Sequence, residues 1–172
     1  GLPAATGTLI HSMTEMLLKD RLNDMSLRDY WLGRKEIVED FEIKIDEDMV
    51  ECAEVYVNYI IKRQKELNAK RVIEEKVYLG EISDKCHGTA DCILLADNRI
   101  CVIDLKSGKW NVEAMKNKQL MIYGLGALTR YGASNPDITV ELTIVQPRVK
   151  NQIKTFEISA PNLVEWGFTD LK

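Results

Sequence analysis

Two acids and a lysine stand where an ordinary core strand would carry only apolar side chains. The stretch 88–106 reads GTADCILLADNRICVIDLK, with Asp91 opening one apolar segment, Asp104 near the end of a second, and Lys106 two residues beyond. Asp97-Asn98 between the segments is a turn signal, so the stretch predicts a β-hairpin. A two-residue loop at 97–98, or a four-residue loop at 96–99, pairs Asp91 directly with Asp104. Cross-strand partners lie roughly 4.5–5.5 Å apart at Cβ, and like charges there repel. A bound divalent cation would turn that repulsion into ligation. Lys106 alternates back to the face of Asp104. These residue types in this register point to a metal-dependent active site.

The surrounding elements must position the hairpin. Residues 8–22 predict a helix, with Thr8 as its N-cap and Ile10, Met13, Met16 and Leu17 on one stripe. A polar, irregular stretch runs on to Asp46. Residues 47–68 predict a stronger amphipathic helix with Met49, Cys52, Tyr56, Tyr59, Ile60 and Leu67 on its apolar side. Residues 72–79 predict a strand with Ile73, Val77 and Leu79 on one inward face. After the hairpin comes a loop at 107–110, then a helix over 112–130 that is apolar nearly all round and therefore buried. A strand over 138–146 follows, and strand, buried helix, strand implies a right-handed crossover and a parallel pair. The tail adds a short strand around 155–158 and a turn of helix near Leu163. The expected fold is α/β: one domain over 1–172, with a mixed central sheet containing the antiparallel hairpin and the crossover helix, flanked by helices.

Bulk properties narrow the class. The 172 residues are enough for one domain with a real core. At 45% hydrophobic and 29% charged, the composition is that of a folded globular chain. No apolar run approaches the ~20 residues of a membrane span, and residues 2–18 lack the basic start of a signal peptide. The four cysteines, Cys52, Cys86, Cys92 and Cys101, form no CxxC pair, so the expectation is reduced thiols in a cytoplasmic protein. A net charge of −4 argues against a grip on nucleic acid through overall basicity. Composition alone favours an enzyme on a small, phosphorylated substrate.

The motifs in their order resemble the PD-(D/E)XK nuclease superfamily, and within it the RecB-like exonuclease branch that includes the CRISPR adaptation exonucleases. The resemblance spans most of the chain: GTLIH at 7–11, GTAD at 88–91, VIDLK at 102–106 and QLMIY at 119–123. The segment IVQPR at 144–148 is similar to phage-encoded RecB-like proteins. The resemblance implies a restriction-endonuclease-like fold and hydrolysis of DNA by metal-activated water, without a covalent enzyme intermediate. It implies Mg²⁺ or Mn²⁺ held by Asp91, Asp104, the carbonyl of Leu105 and His11, an imidazole that suits Mn²⁺ better than Mg²⁺. Lys106 would orient the attacking water or stabilise developing charge. Glu74 or Glu75 matches a further family acid; strand alternation places Glu75 with Val77 and Leu79, and the family spacing favours Glu74 as a catalytic acid. Gln119 and Tyr123, four apart on one helix face with Lys116 a turn earlier, would position the DNA backbone.

The implied partner is DNA, with a recombinase or single-strand annealing protein in a phage or bacterial host setting, and no membrane. Lys109, Lys116, Lys118, Arg148, Lys150 and Lys154 are candidate phosphate contacts. Trp110 could stack on an unpaired base. The competing reading is a catalytically inactive nuclease-fold scaffold that binds nucleic acid or a protein partner.

Overall fold

The computed structural model describes residues 1–79, 87–132 and 134–171. Helix α1 spans Leu2–Leu18, starting well before the expected position, with a proline in its first turn. Thr8 is therefore interior to the helix, and its hydroxyl donates to the Ala4 carbonyl (3.1 Å) instead of capping. The stretch expected to be irregular folds into a short helix α2 (Leu27–Trp31) and a two-stranded hairpin, β1 (Lys35–Val38) and β2 (Phe41–Lys44). The Ser26 hydroxyl caps α2 by accepting from the Asp29 N–H. Glu39 and Asp40 turn the hairpin, both at positive φ (49° and 70°), without the glycine that normally signals such a turn. Helix α3 (Glu47–Leu67) begins where the Asp46 carboxylate accepts from the Met49 N–H, and ends at Asn68 in the left-handed region.

The central sheet has the order β3-β4-β5-β6-β7, where β3 is Lys70–Tyr78, β4 His87–Leu95, β5 Arg99–Leu105, β6 Thr139–Val145 and β7 Ile153–Ser159. Only β5 and β6 pair in parallel; helix α4 (Lys118–Tyr131) makes the crossover between them. Helix α5 (Ala160–Asp170) closes the chain. The expected mixed α/β architecture is present. Strands β5 and β6 are buried along nearly their whole length, which accounts for their continuous apolar runs. One core lies between the sheet and α1 and α3 and includes Ile10, Met13, Tyr56, Cys92, Ile103 and Leu105. The other lies between the sheet and α4 and α5 and includes Ile93, Val102, Leu120, Leu125, Leu142 and Leu163.

Two further local expectations fail. Helix α4 begins at Lys118, not 112, because the Asn117 side chain accepts from the Leu120 N–H and caps it there. Lys116 thus lies in the turn before the helix and cannot share a helical face with Gln119. Strand β3 also does not present Ile73, Val77 and Leu79 on one face: Ile73 packs in the α1/α3 core, whereas Val77 and Leu79 pack in the α4/α5 core. The alternation skips at Glu74, whose φ is 55°. On β4 the same skip occurs at Asp91, since Cys92 and Leu94 face one core while Ala90 and Ile93 share the other. The pairing is kept on either side, Ile73 with Cys92 and Glu75 with Ala90. The two strands therefore turn over together at facing positions.

Cys52, Cys92 and Cys101 are buried free thiols; Cys86 and the side chain of His87 lie outside the described residues. Cys92 pairs with Ile103 and Cys101 with Leu94, so the two thiols are offset rather than opposed. Among the described residues, no helix is long and apolar enough to cross a membrane.

Candidate active site

The β4–β5 hairpin has the expected register. Cys92 pairs with Ile103 and Leu95 with Ile100, and the Ala96 N–H donates to the Arg99 carbonyl, leaving Asp97-Asn98 as the loop. Continued by one step, this register sets Asp91 opposite Asp104. The β3–β4 register sets Glu74 opposite Asp91 in the same way. Three acids thus form a row across three adjacent strands. The ladder opens at Asp91, whose Oδ2 accepts from the Leu105 N–H (2.9 Å). Leu105 itself is buried.

Helix α1 covers one end of this row. Ala5, Leu9, Ile10 and Met13 bury its apolar stripe, which turns Gly7, His11 and Glu15, spaced one helical turn apart, toward a cleft of about 510 Å³. Glu74, Asp91 and Ser107 line the same cleft. His11 Nδ1 lies 3.3 Å from Asp91 Oδ1. Gly7 permits a close approach: a Cβ there would stand 2.8 Å from Ser107 Oγ and turn that hydroxyl aside. Glu15, paired with Lys19 at 2.5 Å, is a cleft acid that the sequence reading missed. Its spacing of four from His11 was the available signal. Glu75 faces the other way, pairing with Arg130 and accepting from Tyr131 Oη, so the cleft acid on β3 is Glu74.

Burial and crowding separate the titrations of the acids. Burial and the neighbouring Asp91 push the Asp104 carboxyl up to about 7, against the pull of Lys106. Burial also acts to raise Asp91, but the hydrogen bond and charge of His11, with help from the Leu105 N–H, hold it below the ordinary carboxylate value. Burial and the charge of Asp91 raise Glu74 to about 6. His11 is itself raised: burial opposes its charged form, but Asp91, then Asp104 and Glu74, outweigh that. The folded chain therefore concentrates negative charge that it only partly neutralises.

On the opposite side, Lys106 Nζ lies 2.9 Å from Asp104 Oδ2 and donates to Gln119 Oε1 (2.9 Å). Gln119 Nε2 in turn donates to Tyr123 Oη (3.1 Å), so a polar chain runs from Asp104 through Lys106 to α4. Gly88 of the GTAD segment leaves room for this tyrosine, since a Cβ there would meet Tyr123 Cε1 at 2.9 Å. Thus His11, Glu74, Asp91, Asp104, Leu105, Lys106, Gln119 and Tyr123 are gathered at one end of the sheet. Arg148 and Lys154 are not free to contact phosphate. Arg148 pairs with Asp48 and donates to the Ser107 carbonyl, and Lys154 is buried against Asn111 and Gln146.

A family model described as "Protein of unknown function (DUF2800)" matches residues 2–172. The chain belongs to that family. Among solved structures, this DUF2800 chain is similar to a "Putative exonuclease" from Eubacterium rectale, at 9% identity and a TM-score of 0.47. The likeness covers 96% of this chain and 65% of that one, so this chain spans about two thirds of its length. It is also similar to the protein SSO0001, at 13% identity and a TM-score of 0.33, over 92% of this chain and 73% of that one.

The donor set of the DUF2800 site suits a hard divalent cation: carboxylate oxygens with one imidazole. Asp104 Oδ2 is buried without an aligned hydrogen-bond donor, the Lys106 ammonium being its close charged neighbour. Among the described residues, no three His, Cys, Asp or Glu side chains stand grouped as a ready-made metal centre. Instead Asp104 turns to Lys106, and Asp91 to His11 and the Leu105 amide.

Proposed function

We propose that this DUF2800 chain is a metal-dependent nuclease that hydrolyses DNA phosphodiester bonds, acting as an exonuclease. The observation that carries the reading is the row Glu74, Asp91 and Asp104 on three adjacent strands, with Lys106 beside Asp104. Structural acids are not normally stacked against one another at the end of a buried strand, because the desolvation of each is left uncompensated. A Mg²⁺ or Mn²⁺ ion held by Asp91, Asp104, His11 and the Leu105 carbonyl would compensate it and supply Lewis acidity toward a phosphodiester oxygen. Lys106, steadied by Gln119, is placed to donate to charge developing on the phosphoryl group or to orient the attacking water. Glu74 adds a carboxylate at the cleft. Gln119 and Tyr123 extend the polar surface along which a DNA backbone would lie. A cytoplasmic setting in a bacterial or phage-infected cell, with a recombinase or annealing protein as partner, belongs to the same reading.

The test is incubation with linear, circular and single-stranded DNA, labelled at either end, in Mg²⁺ or Mn²⁺. Metal-dependent degradation of linear DNA is expected, lost in Asp104→Ala and Lys106→Ala proteins that retain their far-ultraviolet circular dichroism. Undiminished degradation by both variants would sink the assignment. The seating of Lys106 on Asp104, with no grouped ligands among the described residues, favours a second reading: a non-catalytic scaffold. Calorimetric titration with Mn²⁺ separates the two, since the scaffold predicts no binding tighter than millimolar.

A further inference from the structure

The loop that follows Lys106 combines a clamped backbone with an exposed aromatic. Gln146, fully buried at the end of β6, uses every hydrogen-bonding position of its amide. Its Nε2 donates to the Gly108 (3.1 Å) and Trp110 (2.7 Å) carbonyls, and its Oε1 accepts from the Val112 N–H (2.9 Å) and Lys154 Nζ (3.1 Å). Arg148 Nη1 holds the Ser107 carbonyl at 2.9 Å. Two side chains therefore pin the backbone of residues 107–112 at four points. Yet the Trp110 side chain on this loop is 90% exposed. A loop fixed for packing alone would bury its tryptophan, which carries one of the largest apolar surfaces of any side chain.

Trp110 stands over a second cleft, of about 960 Å³, between this loop and the starts of α1 and α3. Pro3 and Ser107 line both this cleft and the acidic one, so the two adjoin. Trp110 lies four residue steps beyond Lys106, a reach of at most about 14 Å, comparable with some four stacked nucleotides. The charged residues lining this cleft balance in number: Arg148 pairs with Asp48 at 2.5 Å, and Lys109 and Glu51 add one charge of each sign. With those charges offset, the exposed indole face is the feature of this cleft that can hold a strand, through a base.

We infer that Trp110 is a preorganised stacking platform for an unpaired base of a single-stranded nucleic-acid segment leading to the acidic cleft, with Gln146 and Arg148 as its positioning residues. This rests on the nuclease reading and names its substrate class, a single strand or a frayed end. Stacking on a fixed ring is sequence-tolerant, because every base has a π-face.

The test measures binding of fluorescein-labelled oligo-dT in EDTA, where no cleavage occurs, against an abasic strand of equal length and a blunt duplex. Trp110→Ala is expected to weaken oligo-dT binding about 5- to 100-fold, and Trp110→Phe to retain most of it. The wild type should bind the abasic strand as weakly as the alanine variant binds oligo-dT. Gln146→Leu, checked for folding by circular dichroism, should weaken oligo-dT binding while leaving Trp110 in place. Equal binding of oligo-dT and the abasic strand, or an unchanged Trp110→Ala protein, overturns the proposal. So does loss of self-association on gel filtration as the sole effect of Trp110→Ala, since the ring would then be a protein contact. Metal-dependent cleavage with Trp110-independent binding would fail the platform but keep the nuclease. Trp110-dependent binding with no cleavage under any metal would do the reverse.

Discussion

Asp104 takes up its proton at a far higher pH than a free carboxyl because it is buried beside Asp91, and the charge of Lys106 offsets that only in part. Two cations therefore compete for the same oxygen: the lysine ammonium and any divalent ion. This makes Lys106 separable from the metal ligands. Lys106→Met should abolish DNA hydrolysis yet tighten Mn²⁺ binding, by about tenfold, because an ammonium 2.9 Å from Asp104 Oδ2 no longer has to be displaced. Isothermal titration of the wild type and the variant reads this directly; weaker binding in the variant would make Lys106 a support of the metal site rather than a competitor. At this scale the sequence was legible. Asp91, Asp104 and Lys106 announced themselves as charged residues inside apolar runs, and the Asp97-Asn98 turn set their register. Glu15 was less so, because its spacing of four from His11 puts it on the same helix face but does not say which strand that face meets.

At the scale of elements, the decisive feature is the double turnover of β3 and β4 at Glu74 and Asp91. Strict alternation would send Glu74 toward α4; the positive φ swings it to the α1 side, into the cleft with His11. A side chain in that backbone region is strained by roughly 1 kcal/mol relative to glycine. Glu74→Gly should therefore be more stable than Glu74→Ala by about 1 kcal/mol in urea denaturation, while both lose the cleft carboxylate. If the alanine variant is the more stable, the turnover is not a local backbone property. Alternation gave no hint of this kink, since Glu-Glu at 74–75 fits either face. The late start of α4 was similarly hidden. The apolar pattern from 112 onward is helical in period, but Gln146, distant in sequence, captures the Val112 N–H for the loop.

For the molecule as a whole, the site makes folding stability depend on pH in a defined direction. Asp104 and Glu74, raised to about 7 and about 6, bind protons more tightly folded than unfolded, so their contribution falls as pH climbs from the ordinary carboxylate range toward neutrality. His11, also raised, contributes below its unfolded value and loses that as pH rises through its folded one. Asp91, lowered, contributes above its unfolded value and loses it as pH falls further. Metal-free protein should thus be most stable near pH 4–5 and lose ~5–10 °C in Tm by pH 8. Asp104→Asn should flatten this profile, and Mn²⁺ should restore Tm at pH 8 in the wild type alone. A flat Tm for metal-free wild type would remove the electrostatic argument for the site.

What the sequence determined by itself was the hairpin, its register and the order of the main elements around it, α2, β1 and β2 apart. These follow from turn chemistry and from periodicity over a few residues, which are local. What only the tertiary structure decided was which face each acid occupies, that Glu74 rather than Glu75 enters the cleft, and that Arg148 and Gln146 are committed to the Trp110 loop. Those outcomes depend on backbone groups a hundred or fewer residues away competing for the same partners, and no local pattern encodes who wins.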